Sequence, residues 1–279
     1  MTIWSPNSKK CSTAERSRSA LLLLAALTAA SLASGPAHAV TTPAMQPGIQ
    51  NAQLRRLLRH ELETSRGTSF GSLLRQWDQK YGSKAVSPLL ELAAMRSIRD
   101  SERYTALMGA AKLGGHASAP LIQPFLKDSS WMLRAGALRA LSALRNPQTA
   151  ASALPLLQDP ALVVRLEAVE AVEKLHPAGA PEALVRAIEN RDNYHGNKAQ
   201  WIPQRALKAL AGLKARETTP RLLPLLDRRE DPELRRQAIL TLGALNGRSV
   251  SRSLPLDEQA RQLKRALAPT SAPLNKRRG

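Results

Sequence analysis

Asp159-Pro160-Ala161-Leu162-Val163-Val164-Arg165-Leu166-Glu167-Ala168-Val169-Glu170-Ala171-Val172 has the pattern of a helix start followed by an apolar stripe. Asp159 offers a carboxylate to unpaired backbone N–H groups, and Pro160 is placed for the first helical position. Ala168 and Ala171 are small enough to let a neighbouring helix approach. The pattern returns at Asp231-Pro232-Glu233-Leu234-Arg235-Arg236-Gln237-Ala238. Outward from these stretches the chain repeats. The sets Met95, Arg103, Ala106, Leu113; then Leu126, Arg134, Ala137, Leu144; then Leu157, Arg165, Ala168, Leu175 follow one another at steps of 31 and 31 residues. A fourth set (Ile188, Pro203, Ala206, Leu213) and a fifth (Leu226, Arg235, Ala238, Leu245) follow at Arg-position steps of 38 and 32, which places an insertion between the two helices of copy four. A period of this length marks a solenoid, in which each hairpin buries its apolar face only against its neighbours. The expected fold is all-α, an α-solenoid of about five helical hairpins over residues 83–247 with helical caps.

Proline recurs within the first helix of three copies, at Pro124, Pro155 and Pro224, lying 10, 10 and 11 residues before the Arg of the next helix. It removes an intrahelical hydrogen bond there, so a bent first helix is expected. Residues 40–82 form a lead-in, flexible over 40–48, and an amino-terminal helical cap. The cap carries the stripes Leu54, Leu57, Leu58, Leu62 and Phe70, Leu73, Leu74, Trp77, Tyr81. Residues 248–268 divide into a linker and a closing helix from Asp257 to Leu267, with Leu256, Ala260, Leu263 and Leu267 on one side. Residues 269–279 end in Lys276-Arg277-Arg278-Gly279, a basic tail expected to be disordered.

The first 39 residues have the composition of a secretory signal peptide: Lys9, Lys10, Arg16 and Arg18, an apolar run from Ala20 to Leu32, then Ala37-His38-Ala39. The run is shorter than the roughly 20 apolar residues a spanning helix needs, so cleavage near Val40 and a chain without a transmembrane segment are expected, and with them a periplasmic or secreted location. Cleavage removes four basic residues and one acidic residue, taking the net charge from +19 to +16, and removes Cys11, the single cysteine. Disulfides, thiolate catalysis and cysteine-ligated metals are thereby excluded from the exported chain. Lys and Arg outnumber Asp and Glu by 41 to 22, which points to anionic partners or, with the Ala enrichment, simply reflects genomic base composition. Aromatic content of 3% leaves Leu and Ala to make the core.

The two Asp-Pro motifs and the period together resemble HEAT repeats of the short bacterial kind, also called phycobilisome-lyase-like, across residues 83–247. The resemblance implies an α-superhelix that serves mainly as a protein-binding scaffold, in a family that includes a few enzymes and nucleic-acid binders. Copy four departs from it, with Pro203 in place of the Arg.

The repeated Arg103, Arg134, Arg165 and Arg235 are expected to pair with turn carboxylates of adjacent repeats and so stabilise the stack, a use that suits the bidentate guanidinium. The insertion Asn190-Arg191-Asp192-Asn193-Tyr194-His195-Gly196-Asn197-Lys198-Ala199-Gln200-Trp201 is the most individual stretch. Two roles compete for it: a loop that touches a partner, or an inert loop with Trp201 folded onto the core, as tryptophan usually is. The solvent side of the second helices carries a mixed row. It comprises Thr105, Met108, Lys112; Gly136, Arg139, Ala143; Glu167, Glu170, Lys174; Arg205, Lys208, Gly212; and Gln237, Leu240, Ala244. Glu167 and Glu170 in its middle oppose a phosphate-tracking groove, and so does export; nucleic acid is not the expected partner. The partner-binding set expected is Tyr194, His195, Lys198, Trp201, Arg205, Lys208, Arg139 and Glu170.

No catalytic residue, cofactor site or metal site is expected. His60, His116, His176 and His195 stand singly; His60-Glu61 matches half of the paired ligands of HEAT-type iron hydroxylases, and the other pairs are missing. No Gly-rich phosphate loop or Gly-flanked nucleophilic serine is present. The function expected is an exported scaffold or adaptor that binds a protein partner in the envelope. The alternatives are a lyase-like or chaperone-like accessory acting on a modified polypeptide, and an electrostatic binder of anionic envelope polymers.

Overall fold

A computed structural model describes residues 47–65 and 67–268. The proposed signal peptide, most of the lead-in and the basic tail lie outside them. In chain order the helices are α1 (Pro47–Thr64), α2 (Phe70–Tyr81), α3 (Val86–Ala94), α4 (Asp100–Gly114), α5 (Ala119–Ile122), α6 (Trp131–Leu144), α7 (Leu162–Leu175), α8 (Ala180–Glu189), α9 (Trp201–Gly212), α10 (Thr219–Leu222), α11 (Pro232–Asn246) and α12 (Leu256–Leu267). A two-stranded hairpin, β1 (Tyr194–His195) and β2 (Lys198–Ala199), lies between α8 and α9. The second helices α4, α6, α7, α9 and α11 pack each on the next in sequence order, and the first helices form the other layer. α1 packs on α3 at one end and α12 on α11 at the other. The molecule is an all-α solenoid. No helix among the described residues is long and apolar enough to cross a membrane.

The landmark alanines explain the close stacking. Ala106, Ala137, Ala168, Ala206 and Ala238 are each 0% exposed, so every second helix presents a bare backbone at the same height. Any larger side chain at these positions would overpack the seam. Gly136 takes this further: a Cβ added there would lie 2.8 Å from the Tyr104 ring, so α4 and α6 meet across a glycine. In consequence Gly136 is covered and does not belong to the open face.

Three expectations need correcting. The prolines do not bend α-helices; they convert the first helices to 3₁₀ structure. Pro124 lies in a 3₁₀ segment Gln123–Lys127 after α5, Pro155 in a continuous 3₁₀ run Pro147–Gln158, and Pro224 in Leu223–Asp227 after α10. A mid-segment proline cannot donate to the fourth carbonyl back, and the chain tightens to i to i+3 bonding. Where the proline falls in the first turn, as Pro181 does in α8, a regular α-helix survives.

Asp128 and Asp159 are not helix caps. They accept from the N–H groups of Ser130 (2.8 Å) and Ala161 (2.9 Å) in the turn, and α6 and α7 begin one residue beyond those, so Pro160 precedes its helix. Asp231 does cap α11, accepting from Leu234 N at 3.0 Å, with Pro232 as the first helical residue. At the amino-terminal end α1 already starts at Pro47. In that cap Leu58 and Leu62 are buried, whereas Leu57 is exposed.

Candidate functional site

The repeated arginines build a ladder between hairpins. Arg103 Nη2 donates to Asp128 at 2.5 Å, Arg134 Nε and Nη2 clamp Asp159 at 2.7 and 2.8 Å, and Arg235 Nη1 donates to Asp257 at 2.5 Å. Each guanidinium also donates back to a main-chain carbonyl of its own hairpin: Ala93 O for Arg103, Asp128 O for Arg134 and Leu226 O for Arg235. A side chain so placed joins the turn of one repeat to the turn of the next, and its charge is neutralised within the stack. The Asp100 carboxyl, which accepts from Ser130 and Arg103, is held below the usual carboxylate range, as is Asp257 beside Arg235. Asp159 correspondingly raises the Arg134 guanidinium.

Copy four breaks the ladder chemically but not geometrically. Arg165 finds no carboxylate ahead of it; its Nε donates to the amide oxygen of Asn193 at 2.8 Å, and its Nη1 to Asp159 O at 2.7 Å. Asn193 is 0% exposed, and its own Nδ2 donates to Ala187 O at 2.8 Å. On the far side Asp231 has no arginine to receive it, because Pro203 is buried at the corresponding place. Its Oδ2 accepts instead from the backbone N–H of Ala199 at 2.6 Å. The insertion therefore supplies both substitute contacts. Between them the chain forms a hairpin with Tyr194 opposite Ala199 and His195 opposite Lys198, and Gly196 takes the left-handed φ of 58° its tip requires.

The aromatic pair of the insertion is split. Tyr194 turns toward the first-helix layer, where its hydroxyl donates to Ile188 O at 2.7 Å and the Arg228 guanidinium lies 5.6 Å from its ring centroid. Burial pushes the Tyr194 phenol up, against the pull of Arg228. Trp201 belongs not to the loop but to the first turn of α9, and at 66% exposure it is not folded onto the core. It borders a shallow depression of about 380 Å³ between α7, α9 and α11, together with Leu166, Glu170, Gln204, Lys208 and Gln237. His195 and Lys198 are exposed on the hairpin and line neither that depression nor the cleft beside Tyr194.

Of the eight residues expected to bind a partner, Trp201, Glu170, Arg205 and Lys208 come together, Arg205 being a further wall of the depression. Two of their charges are committed internally. Arg205 reaches Glu170 at 3.6 Å and Glu173 at 3.4 Å across the α7–α9 seam. Arg139 pairs with Glu167 across the α6–α7 seam and donates to the Tyr104 hydroxyl at 3.1 Å; Glu167 holds its pKa well above the usual arginine value. The acids of α7 are thus gripped by arginines from both neighbouring helices, and the row of mixed charge is a set of inter-repeat pairs. Lys208 and Trp201 are exposed beside these pairs, at the depression. Sequence reasoning missed Asn193: the turn acids Asp128 and Asp159 lie 25 residues after their arginines, a spacing that from Arg165 reaches Asn190, whereas the contact is made by Asn193, 28 residues on. It also missed Arg221 and Arg228, which only the fold brings beside Tyr194.

Among the described residues no group of three or more His, Cys, Asp and Glu side chains converges in a way that could hold a metal ion. No curated protein matches the chain. Among solved structures it is similar to an engineered protein from a structural-genomics programme, at 16% identity over 74% of this chain and 93% of that one, with a TM-score of 0.43. The family model described as HEAT repeats matches residues 86–173, 118–195 and 195–268, which are the stacked hairpins joined by the arginine ladder. The chain belongs to the HEAT-repeat family.

Proposed function

We propose that this protein is an exported scaffold that binds a protein partner across its second-helix face, with Trp201 as the anchor. The observation that carries this is the 66% exposure of Trp201 beside a depression whose floor includes Leu166, with Val163 and Leu240 also exposed on α7 and α11. A large aromatic held in water on a rigid helix beside apolar surface suits a binding hot spot, where tryptophan is enriched. HEAT repeats commonly serve as protein-binding surfaces, which supports the same role. Export rests on the basic and apolar composition of residues 1–39.

The test is capture of a defined partner by the mature chain from its own cell envelope, repeated with Trp201→Ala and with Lys208→Glu. Loss of that partner with Trp201→Ala, while the helical circular dichroism is kept, supports the assignment. A partner retained by both variants refutes it. Amino-terminal sequencing of the exported protein should begin at Val40; an intact Met1 would refute cleavage. The alternative of a lyase-like accessory requires a coloured or covalently attached small molecule to copurify with the captured polypeptide.

A further inference from the structure

The insertion in copy four leaves a cleft of about 450 Å³ on the first-helix side, between α8, the hairpin tip and the α10 segment with its following 3₁₀ turn. Its volume lies in the range of small-ligand sites. Its wall is aliphatic, made by Val185, Ile188, Leu222 and Leu225. Its rim is cationic, with Arg191, Arg221 and Arg228 against the single acid Glu189.

These charges differ in their commitments. Arg221 is spent on Glu189 and on Glu182 (2.6 Å), which removes that acid and that base from the account together. Arg228 reaches Glu230 only at 3.5 Å, an exposed pair of little energy, and is held in place by the Tyr194 ring beneath it. Arg191 has no ion-pair partner among the described residues. Two guanidinium groups therefore stand over an aliphatic wall, backed by a tyrosine whose hydroxyl is fixed to Ile188 O. The hairpin whose tip lines the cleft is held at its base, by Ala199 to Asp231 and by Asn193 to Arg165.

We propose that this cleft binds an aliphatic chain ending in a carboxylate, with Arg191 and Arg228 holding the carboxylate and Ile188 and Leu225 packing the chain. A carboxylate matches the fork of a guanidinium, and the cleft combines an exposed arginine without an ion-pair partner among the described residues with buried aliphatic walls. The site does not involve Trp201 or the second-helix face, so it stands apart from the proposed scaffold role.

The experiment is calorimetric titration of the full-length mature protein with octanoate and with octan-1-ol. Two further ligands are a pentapeptide ending in leucine as the free acid and the same peptide amidated. Saturable octanoate binding, at least tenfold weaker for octan-1-ol and at least tenfold weaker in Arg191→Gln/Arg228→Gln, supports the assignment. Both substitutions are at solvent-accessible positions, and the unfolding midpoint should stay unchanged. Free-acid peptide binding tighter than octanoate, and lost on amidation, also supports it and identifies a polypeptide carboxyl terminus as the source. Octan-1-ol binding as tightly as octanoate, carboxylate binding unaffected by the double substitution, or no binding of either acid overturns it. Trp201→Ala should leave octanoate affinity unchanged, which separates failure of this site from failure of the partner face.

Discussion

The junction between copies two and three and the junctions on either side of copy four meet the same demand with different chemistry. In the first, Arg134 clamps Asp159 in a two-bond ion pair, with side chains 14% and 6% exposed. In the second, an amide takes the place of the acid at Asn193, and a backbone N–H takes the place of the arginine at Ala199. What the solenoid requires at each step is a satisfied polar clip between successive turns. The charge of that clip is secondary, because a buried donor left without an acceptor costs more than a neutral hydrogen bond forgoes. The regular junction uses one side chain pair; the interrupted one recruits a whole hairpin, whose tip lines the cleft beside α8.

The largest effect expected is that of Asp159→Ala, which strands the Arg134 guanidinium and should cost about 3–5 kcal/mol in urea unfolding. A loss under 1 kcal/mol would mean that the regular clip is not what holds the junction. Next is Asn193→Ala, which removes an acceptor from Arg165 and a donor from Ala187 O and should cost roughly 2–4 kcal/mol. Asn193→Asp sharpens the point. It restores the acid of the regular ladder but leaves Ala187 O without its donor, so it should lower stability by roughly 1–2 kcal/mol instead of raising it. A stabilised Asn193→Asp protein would show that charge, and not satisfaction, governs the clip.

A smaller effect concerns acid. The Asp100 and Asp257 carboxyls are depressed in the folded chain, by the Ser130 and Arg103 hydrogen bonds and by Arg235 respectively. Their stabilisation is fully present above the ordinary carboxylate value of about 4 and is lost as the pH falls below it toward their folded values. Urea midpoints should therefore drop between pH 6 and pH 3, and Asp257→Asn should remove part of that drop while leaving the rest. The smallest expected stability change is that of Trp201→Ala, within about 0.5 kcal/mol, because the ring is mostly in water. A loss above 2 kcal/mol would reassign Trp201 from recognition to packing.

Much of the architecture is legible in one dimension. The steps of 31 residues, the column of alanines and the arginine at a constant offset all come from nearest-neighbour contacts repeated along the chain, and such contacts leave a period in the sequence. The prolines were visible too, but not their effect: whether a segment kinks or tightens to 3₁₀ depends on where the proline falls relative to the helix start, which the apolar pattern does not mark. The candidate surface was half legible. Glu170, Arg205 and Lys208 fall on one helix-periodic row in the sequence, and the fold brings Trp201, the last residue of the insertion, beside them. Tyr194 was grouped with Trp201 by proximity in sequence, and the hairpin sends the two to different cavities.

Sequence alone determined the stacked helical hairpins, the small-residue seam and the place of the interruption, because each is a local or nearest-neighbour property. Tertiary structure alone decided which charges are paired. Arg139, Arg205 and Arg221 look equally available in one dimension, yet their acids arrive from neighbouring repeats 28, 35 and 32 residues away. It also decided that a tryptophan stays in water and that two arginines gather over an aliphatic wall, since exposure and convergence follow from how separate repeats pack in space.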